Sequence, residues 1–461
     1  FAGALETASL VNSGTITSAF NAGVRQGSAA ALAITNEATG IIEGSNSGVV
    51  VSAGNINLSN AGTIRGDGTS TGTSTAFEGG IRLQAGTNTI ANSGTISGAQ
   101  FGIVTTQLFN TATQTLEWQV GRTQITNSGS IIGDVSDGIL LLAGGSVVNS
   151  GTIRSGAGIG ADGIQLQFIP GQDSGLPQIG SIVNEAGGTI TGDRYGVILA
   201  GGGTITNAGV ISGNTNGALL VSQNRPGKTG ALDNSGTITG GVLIDLASAL
   251  VSNTGTITNA TGIGFLSEGG SVQFTNAGQI SGNGVAIQFS AADDQLTLLT
   301  GSRIQGLTDG GEGFDSLVLD GDVLELSAAQ ELGDVTGFES LAITAGYWNK
   351  TGSAGTFDSV VIGDGAALQI NEAAVAGQAP VSSLVAPAIT NNGRLVLNFS
   401  DDAALTQLAG RPISGTGALQ LIGEGVLTVA GNDLTHTGGT TVSNGGLVLT
   451  GTLPGDVTTE G

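Results

Sequence analysis

A five-residue phrase, Asn–small–Gly–x–Ile, governs what this chain can fold into. It or a close variant begins at Asn12 (NSGTI), Asn36 (NEATGII), Asn60 (NAGTI), Asn92 (NSGTI), Asn127 (NSGSI) and Asn149 (NSGTI). It returns at Asn184 (NEAGGTI), Asn207 (NAGVI), Asn234 (NSGTI), Asn253 (NTGTI) and Asn276 (NAGQI). The shorter steps cluster near 23 residues, and steps of 32 and 35 read as the same unit carrying an insertion. Between copies lies a second phrase, Gly followed by alternating apolar residues, as in Gly80-Ile81-Arg82-Leu83 and Gly163-Ile164-Gln165-Leu166. Each unit therefore carries two or three short strands and no stretch that could make a helix. So thin a unit has no core of its own, but stacked on copies of itself it closes one apolar column.

The pattern predicts an all-β fold: a right-handed parallel β-helix (solenoid) with loop insertions, its coils pairing at about 4.8 Å. A propeller blade needs about 40 residues and four strands, and sandwich strands do not share so faithful a phrase. Inward Ile, Val and Leu stack on their copies, while Gly and Asn suit left-handed corners that a branched residue would strain. Three regions follow: regular coils over 1–300, degenerate coils with loops over 301–414, and a final block, 415–461, where regularity returns. Within the middle region, 372–388 reads as a loop or short helix and 403–409 as a turn or two of helix.

Composition removes whole classes of function. Cys is 0, which excludes disulfides, thiolate nucleophiles and cysteine-ligated metals. Lys and Arg total 12 against a net charge of -23, so nothing basic follows a phosphate backbone and nucleic acid is not an expected partner. No apolar run approaches the roughly 20 residues that cross a bilayer. The chain opens on Phe1-Ala2-Gly3 rather than Met and reads as a processed or trimmed piece.

Three insertions follow the same phrase, at 106–124, 169–182 and 222–232, and should emerge along one edge two coils apart, about 10 Å. They carry the unusual side chains: Phe109, Leu116 and Trp118 in the first, Pro170 and Pro177 in the second, Arg225, Pro226 and Lys228 in the third. Phe109, Leu116, Trp118, Arg225 and Lys228 are the ligand-binding candidates, because loops on a stiff scaffold commonly carry contacts. The plainer alternative makes Trp118 a local lid over the flank. A fourth insertion, 67–78, falls elsewhere in its coil.

Catalytic signals are thin. The only His, His436, lies between Thr residues, and Ser174 in GQDSG sits in an insertion about ten coils away, so no Ser-His-Asp triad forms. Paired carboxylates about 5–9.5 Å apart would serve a glycosidase, and Asp134, Asp162 and Asp193 on successive coils suggest an acidic column. Aromatic platforms for sugars are scarce, however, and no enzymatic activity is expected. Gly310-Gly311-Glu312-Gly313-Phe314-Asp315-Ser316-Leu317 matches one copy of a calcium nonapeptide, making Asp309 and Asp315 calcium candidates. Such sites need tandem copies and six to eight converging oxygens, so an ordinary turn is the competing reading. Thr-x-Thr pairs such as Thr237/Thr239 hint at an ice-binding row, but Arg65, Arg154 and Ile132 interrupt it.

The last block brings a family resemblance. Gly415–Gly417, Leu427–Gly431, His436–Thr441 and Gly446–Leu449 resemble the passenger-associated repeat of bacterial type V autotransporters, with His436 where the family has an aromatic residue. The NSGTI coils resemble the passengers of large autotransporter adhesins. The resemblance covers about residues 10–290 and 415–452. It implies a passenger at the cell surface, bound to the outer membrane or secreted, exported through a C-terminal outer-membrane β-barrel beyond Gly461. It also implies a terminal block that nucleates folding, so that Val429→Asp or Leu449→Asp should slow refolding more than Thr441→Ser. The expected function is adhesin or spacer, its partner a host or neighbouring-cell surface protein or glycan. The alternatives are a self-associating stalk and, behind it, a polysaccharide-cleaving β-helix enzyme.

Overall fold

Each Asn of the phrase ends a strand with its side chain turned inward, and this one fact organises the molecule. The computed structural model describes residues 7–68, 77–110, 115–117, 119–158, 160–168, 179–222, 227–325, 328–373, 381–399, 411–429 and 433–460. A coil comprises three strands, exemplified by Ala85–Asn92, Thr95–Gly98 and Phe101–Thr105. The strands of the regular coils pair in parallel with their counterparts in the neighbouring coils; Asn92, for instance, registers with Asn60 and Asn127. The fold is a right-handed parallel β-helix, and among the described residues no helix is long and apolar enough to cross a membrane.

The chain forms two compact units, Phe1–Ala249 with Gly255–Ile257, and Leu250–Thr254 with Thr258–Gly461. In the first, identical side chains stack in rows. Ile42, Ile64, Ile96, Ile131, Ile153, Ile190, Ile211 and Ile238 occupy one register position of the second strand, all buried. Repeating one residue on one rung fills the interior without a large aromatic, because each branched side chain packs on its copy at the sheet spacing.

Beside these rows runs an amide ladder. Asn127 Nδ2 donates to Asn149 Oδ1 at 2.7 Å and to the carbonyls of Gly129 and Thr152 at 3.2 Å, while its Oδ1 accepts from Asn92 Nδ2 at 2.7 Å. Such links run unbroken from Asn12 to Asn207 and on to Asn234. A buried amide is expensive unless satisfied, and here the copy in the next coil satisfies it. The phrase Asn is therefore a core residue, not the left-handed corner residue that its chemistry suggested.

The phrase Gly also has a different cause from the one expected. Gly129 and Gly151 do not have positive φ. A Cβ on Gly129 would strike the carbonyl of Gly94, and one on Gly151 that of Gly129. Close approach of stacked corners, rather than backbone handedness, demands Gly there.

In the second unit the phrase ends but stacking continues. Ser316–Asp320, Ser340–Ala345 and Ser359–Ile362 pair with Ser316, Ser340 and Ser359 on one rung. The amide ladder passes from Asn253 to Asn276 at 2.8 Å and stops on Ser302 Oγ at 2.6 Å. Phe265 packs on Phe274 and Phe289, with ring centroids 4.6 and 5.8 Å apart. Lys350 is buried, its ammonium donating to the carbonyls of Gly333, Thr351 and Ser353 at 2.9, 2.5 and 2.8 Å. Val381–Ser382 and Leu384–Val385 are strands within the predicted loop-or-helix segment; 374–380 and 403–409 lie outside the described residues.

The terminal block is built of strands, among them Ala418–Leu421, Val426–Val429 and Gly446–Leu449. Val429 is buried, as expected, but Leu449 is 38 % exposed. Its strand pairs with Val426–Val429, and among the described residues no strand pairs with its other edge. Leu449 is accordingly withdrawn as a core position.

Replacing Asn127 with Ala removes its amide and leaves four partner groups to be rematched. Urea unfolding should show a loss of about 2 kcal/mol. The exposed neighbour Thr126→Ala should stay within about 0.5 kcal/mol.

Candidate functional site

The edge that carries the insertions is set by the third strand of the coil. Phe101–Thr105, Ile164–Gln167 and Asn216–Val221 precede the three insertions. All belong to one parallel column, with Ile139–Leu141 and Tyr195–Ala200 interleaved. The chain thus leaves this edge at every second coil, about 10 Å apart by sheet spacing. The insertion at 67–78 instead follows Thr63–Gly66, a second strand, and so leaves from a different corner.

Within the first insertion, Leu108–Asn110 and Thr115–Glu117 form an antiparallel hairpin with Phe109 opposite Leu116. Trp118 and Arg225 lie outside the described residues, as do Pro170, Ser174 and Pro177. Lys228 does not project. It is buried, its Nζ stands 5.8 Å from the centre of the Phe168 ring, and its carbonyl accepts the Ala247 amide at 2.8 Å. The structure brings Phe109 and Leu116 into register and buries Lys228 against Phe168.

A feature the sequence reading missed borders this edge. Val104 alternates with the inward Ile103 and should face outward, yet it is 0 % exposed and clusters with Phe101, Leu140 and Leu142. Val50 and Ile198, on the same register position, are buried too. Phe77 stacks on Phe101 at 5.9 Å with a φ of 76°, a value few side chains accept. The flank thus has a small second core outside the coil. The signal was legible: Gly-Ile-Val and Ile-Leu-Leu are continuous apolar runs, the pattern of a strand buried on both faces.

The acidic residues assemble differently from the expected column. Asp162 registers with Asp137, not with Asp134 and Asp193, because it precedes the third strand of its coil whereas they follow the second. Asp137 Oδ1 accepts the Asp162 amide at 2.8 Å, and Asp162 Oδ1 accepts the Tyr195 amide at 3.2 Å. Arg194 clasps Asp162 at 3.1 and 2.7 Å and lies over the Tyr195 ring at 4.6 Å. Burial pushes the Asp137 carboxyl up to about 7, the nearby Asp162 adding to the effect against the Asp162 amide and the Arg194 charge. Asp134 and Asp193 are exposed.

The calcium candidates have structural partners. Asp309 Oδ1 accepts the Gly311 amide at 3.2 Å, and Asp315 Oδ1 accepts the Asp294 amide at 2.7 Å, while the Asp315 amide donates to Glu339 Oε2 at 2.6 Å. Among the described residues no group of three or more His, Asp or Glu side chains converges as a metal site. The stack links successive coils through backbone N–H groups, the work that an ordinary acidic turn residue does. His436 is buried with Nε2 2.9 Å from Thr440 Oγ1, and burial lowers its pKa.

Register and ladder together define a class: a repetitive parallel β-helix domain with surface loops. Compared with models of known protein families, curated proteins and solved structures, the chain matches none.

The buried flank has a measurable consequence. Val104→Ser should cost about 2 kcal/mol in thermal or urea unfolding, as a core valine would. A change within about 0.5 kcal/mol, typical of a surface site, would contradict the second core.

Proposed function

We propose that the chain is an exported, cell-surface passenger that serves as an adhesive contact and spacer module, presenting the loops of one edge to a protein or glycan on another surface. The observation that carries this reading is the spacing of the insertions: they leave one strand column at every second coil of a stacked scaffold. Side chains repeated along a rigid axis bind multivalently, and weak contacts then add through effective concentration. The NSGTI coils and the terminal repeat, resembling autotransporter passengers, support export through an outer-membrane barrel. A chain without Cys suits an oxidising route. We read the protein as non-catalytic, in keeping with His436 packed on Thr440 and with carboxylates engaged by backbone amides.

The test keeps the strand Gln119–Asn127 intact, because it belongs to the stacked sheet. Residues 106–118 are replaced by a short Gly/Ser link, and binding of purified protein to immobilised matrix proteins, glycan arrays and sister cells is compared with wild type. At least a tenfold loss of binding with an unchanged melting temperature is expected. Equal binding by both proteins eliminates the ridge as the contact.

Self-association is a second reading, favoured by the outer face of the second strand. There Thr63, Thr95, Ser130, Thr152 and Thr189 share one row of small polar side chains, bounded in the same register by Ile41 and Val210 and flanked by a row that holds Arg65, Ile132 and Arg154. Sedimentation velocity from micromolar to near-millimolar concentration distinguishes the two, since a constant monomer mass removes the stalk-to-stalk reading.

A further inference from the structure

The corner between the second and third strands buries two carboxyl groups against a single cation. Asp137 is 4 % and Asp162 0 % exposed, and the two belong to adjacent coils joined by the hydrogen bond from the Asp162 amide to Asp137 Oδ1. Arg194 holds Asp162 in a bidentate clasp. Of the groups around Asp137, Asp162 and Arg194 carry charge, and Tyr195 supplies its amide to Asp162 and its ring to Arg194. Asp134 and Asp193, on the neighbouring register position, are exposed, and Asn214 Nδ2 lies 3.4 Å from Asp193 Oδ1. Two buried acids and one guanidinium carry an excess negative charge, and a buried charge without a partner is strongly unfavourable. One proton restores neutrality.

We propose that the Asp137–Asp162–Arg194 corner is a proton latch: it holds one proton on Asp137 in mildly acidic to neutral solution, and its loss in alkaline solution loosens the corner that joins the two coils. The corner is placed to matter. The Asp137 carbonyl accepts the Gly102 amide at 3.2 Å and the Gly138 amide donates to the Asp162 carbonyl at 3.0 Å, so three coils meet at this bend. Next to it Val135 is half exposed, a side chain that a loosened corner would release further.

The direction of the pH effect follows from linkage. Burial places the Asp137 pKa at about 7, above its ordinary value of 3.8. Between those values the folded chain binds more protons than the unfolded one, so stability falls as pH rises. The contribution is fully present below 3.8 and is lost once the pH has passed 7.

The experiment is a set of thermal melts at pH 5 and pH 8.5 for wild type, Asp137→Asn and Arg194→Gln. Asp315 also titrates upward, to about 7, for the same reason of burial, so the readout is the difference between variants and not the wild-type profile alone. Wild type should melt several degrees lower at pH 8.5 than at pH 5. Asp137→Asn, neutral at both, should narrow that gap and melt above wild type at pH 8.5. Arg194→Gln, which removes the cation that faces both carboxyl groups, should widen it. An equal gap in wild type and Asp137→Asn overturns the latch. If Asp137→Asn does not fold, a gap that Arg194→Gln leaves unchanged overturns it equally.

Discussion

Everything in the first unit depends on an inward amide finding its own copy one coil away. The Asn ladder is hydrogen bonding of the costly kind, in a water-poor interior, and its members are well satisfied: the two N–H groups of Asn127 Nδ2 are shared among three acceptors, and its Oδ1 accepts one bond. Removing any member strands its neighbours, so the ladder specifies register as well as holding it. Stacked apolar side chains alone would tolerate a slip of two residues along a strand, since inward Ile56 and Leu58 are both apolar, whereas Asn60 occurs once per strand. The corner-spanning bonds from each Asn to the carbonyl two residues onward, such as Asn92 to Gly94 at 3.2 Å, fix where the strand must end. Amides in line also polarise one another, which strengthens each bond beyond its isolated worth.

The architecture was legible because its signal was repeated eleven times, and because strand period and turn chemistry agreed at each repeat. What the phrase meant physically was less legible. Asn and Gly are both corner residues by reputation, and one sequence offers no means of telling a solvent-facing Asn from a buried one. The register shows that Asn127 is core and that Gly129 is required by the approach of another corner. The second unit was harder because its repeat changed letters. Asp315-Ser316-Leu317, Glu339-Ser340-Leu341 and Asp358-Ser359-Val360 occupy successive rungs, an acid–Ser–apolar phrase as regular as the first but outside the vocabulary of Asn and Gly.

The candidate site was half legible. Placing three insertions on one edge required only counting, since each follows the same strand. The fate of individual side chains did not follow from counting. Lys228 reads as an exposed cation in a loop beside Arg225 and Pro226, yet its stem is long enough to fold back and set the ammonium over Phe168. Asp162 was assigned to the wrong partner because spacing in residues was taken for spacing in register. Its rung is fixed by the strand it precedes, which puts Asp137 and Arg194 beside it.

The ladder also separates geometry from contour length. The Asn–Asn bond measures 2.7 Å across a separation of 22 residues and 2.7–2.8 Å across separations of 35. A rung is blind to how much chain wanders outside between one amide and the next. Segments of foreign origin could therefore be exchanged at the third-strand edge like cassettes, and lineages could lengthen or shorten what they expose there while inheriting the same scaffold.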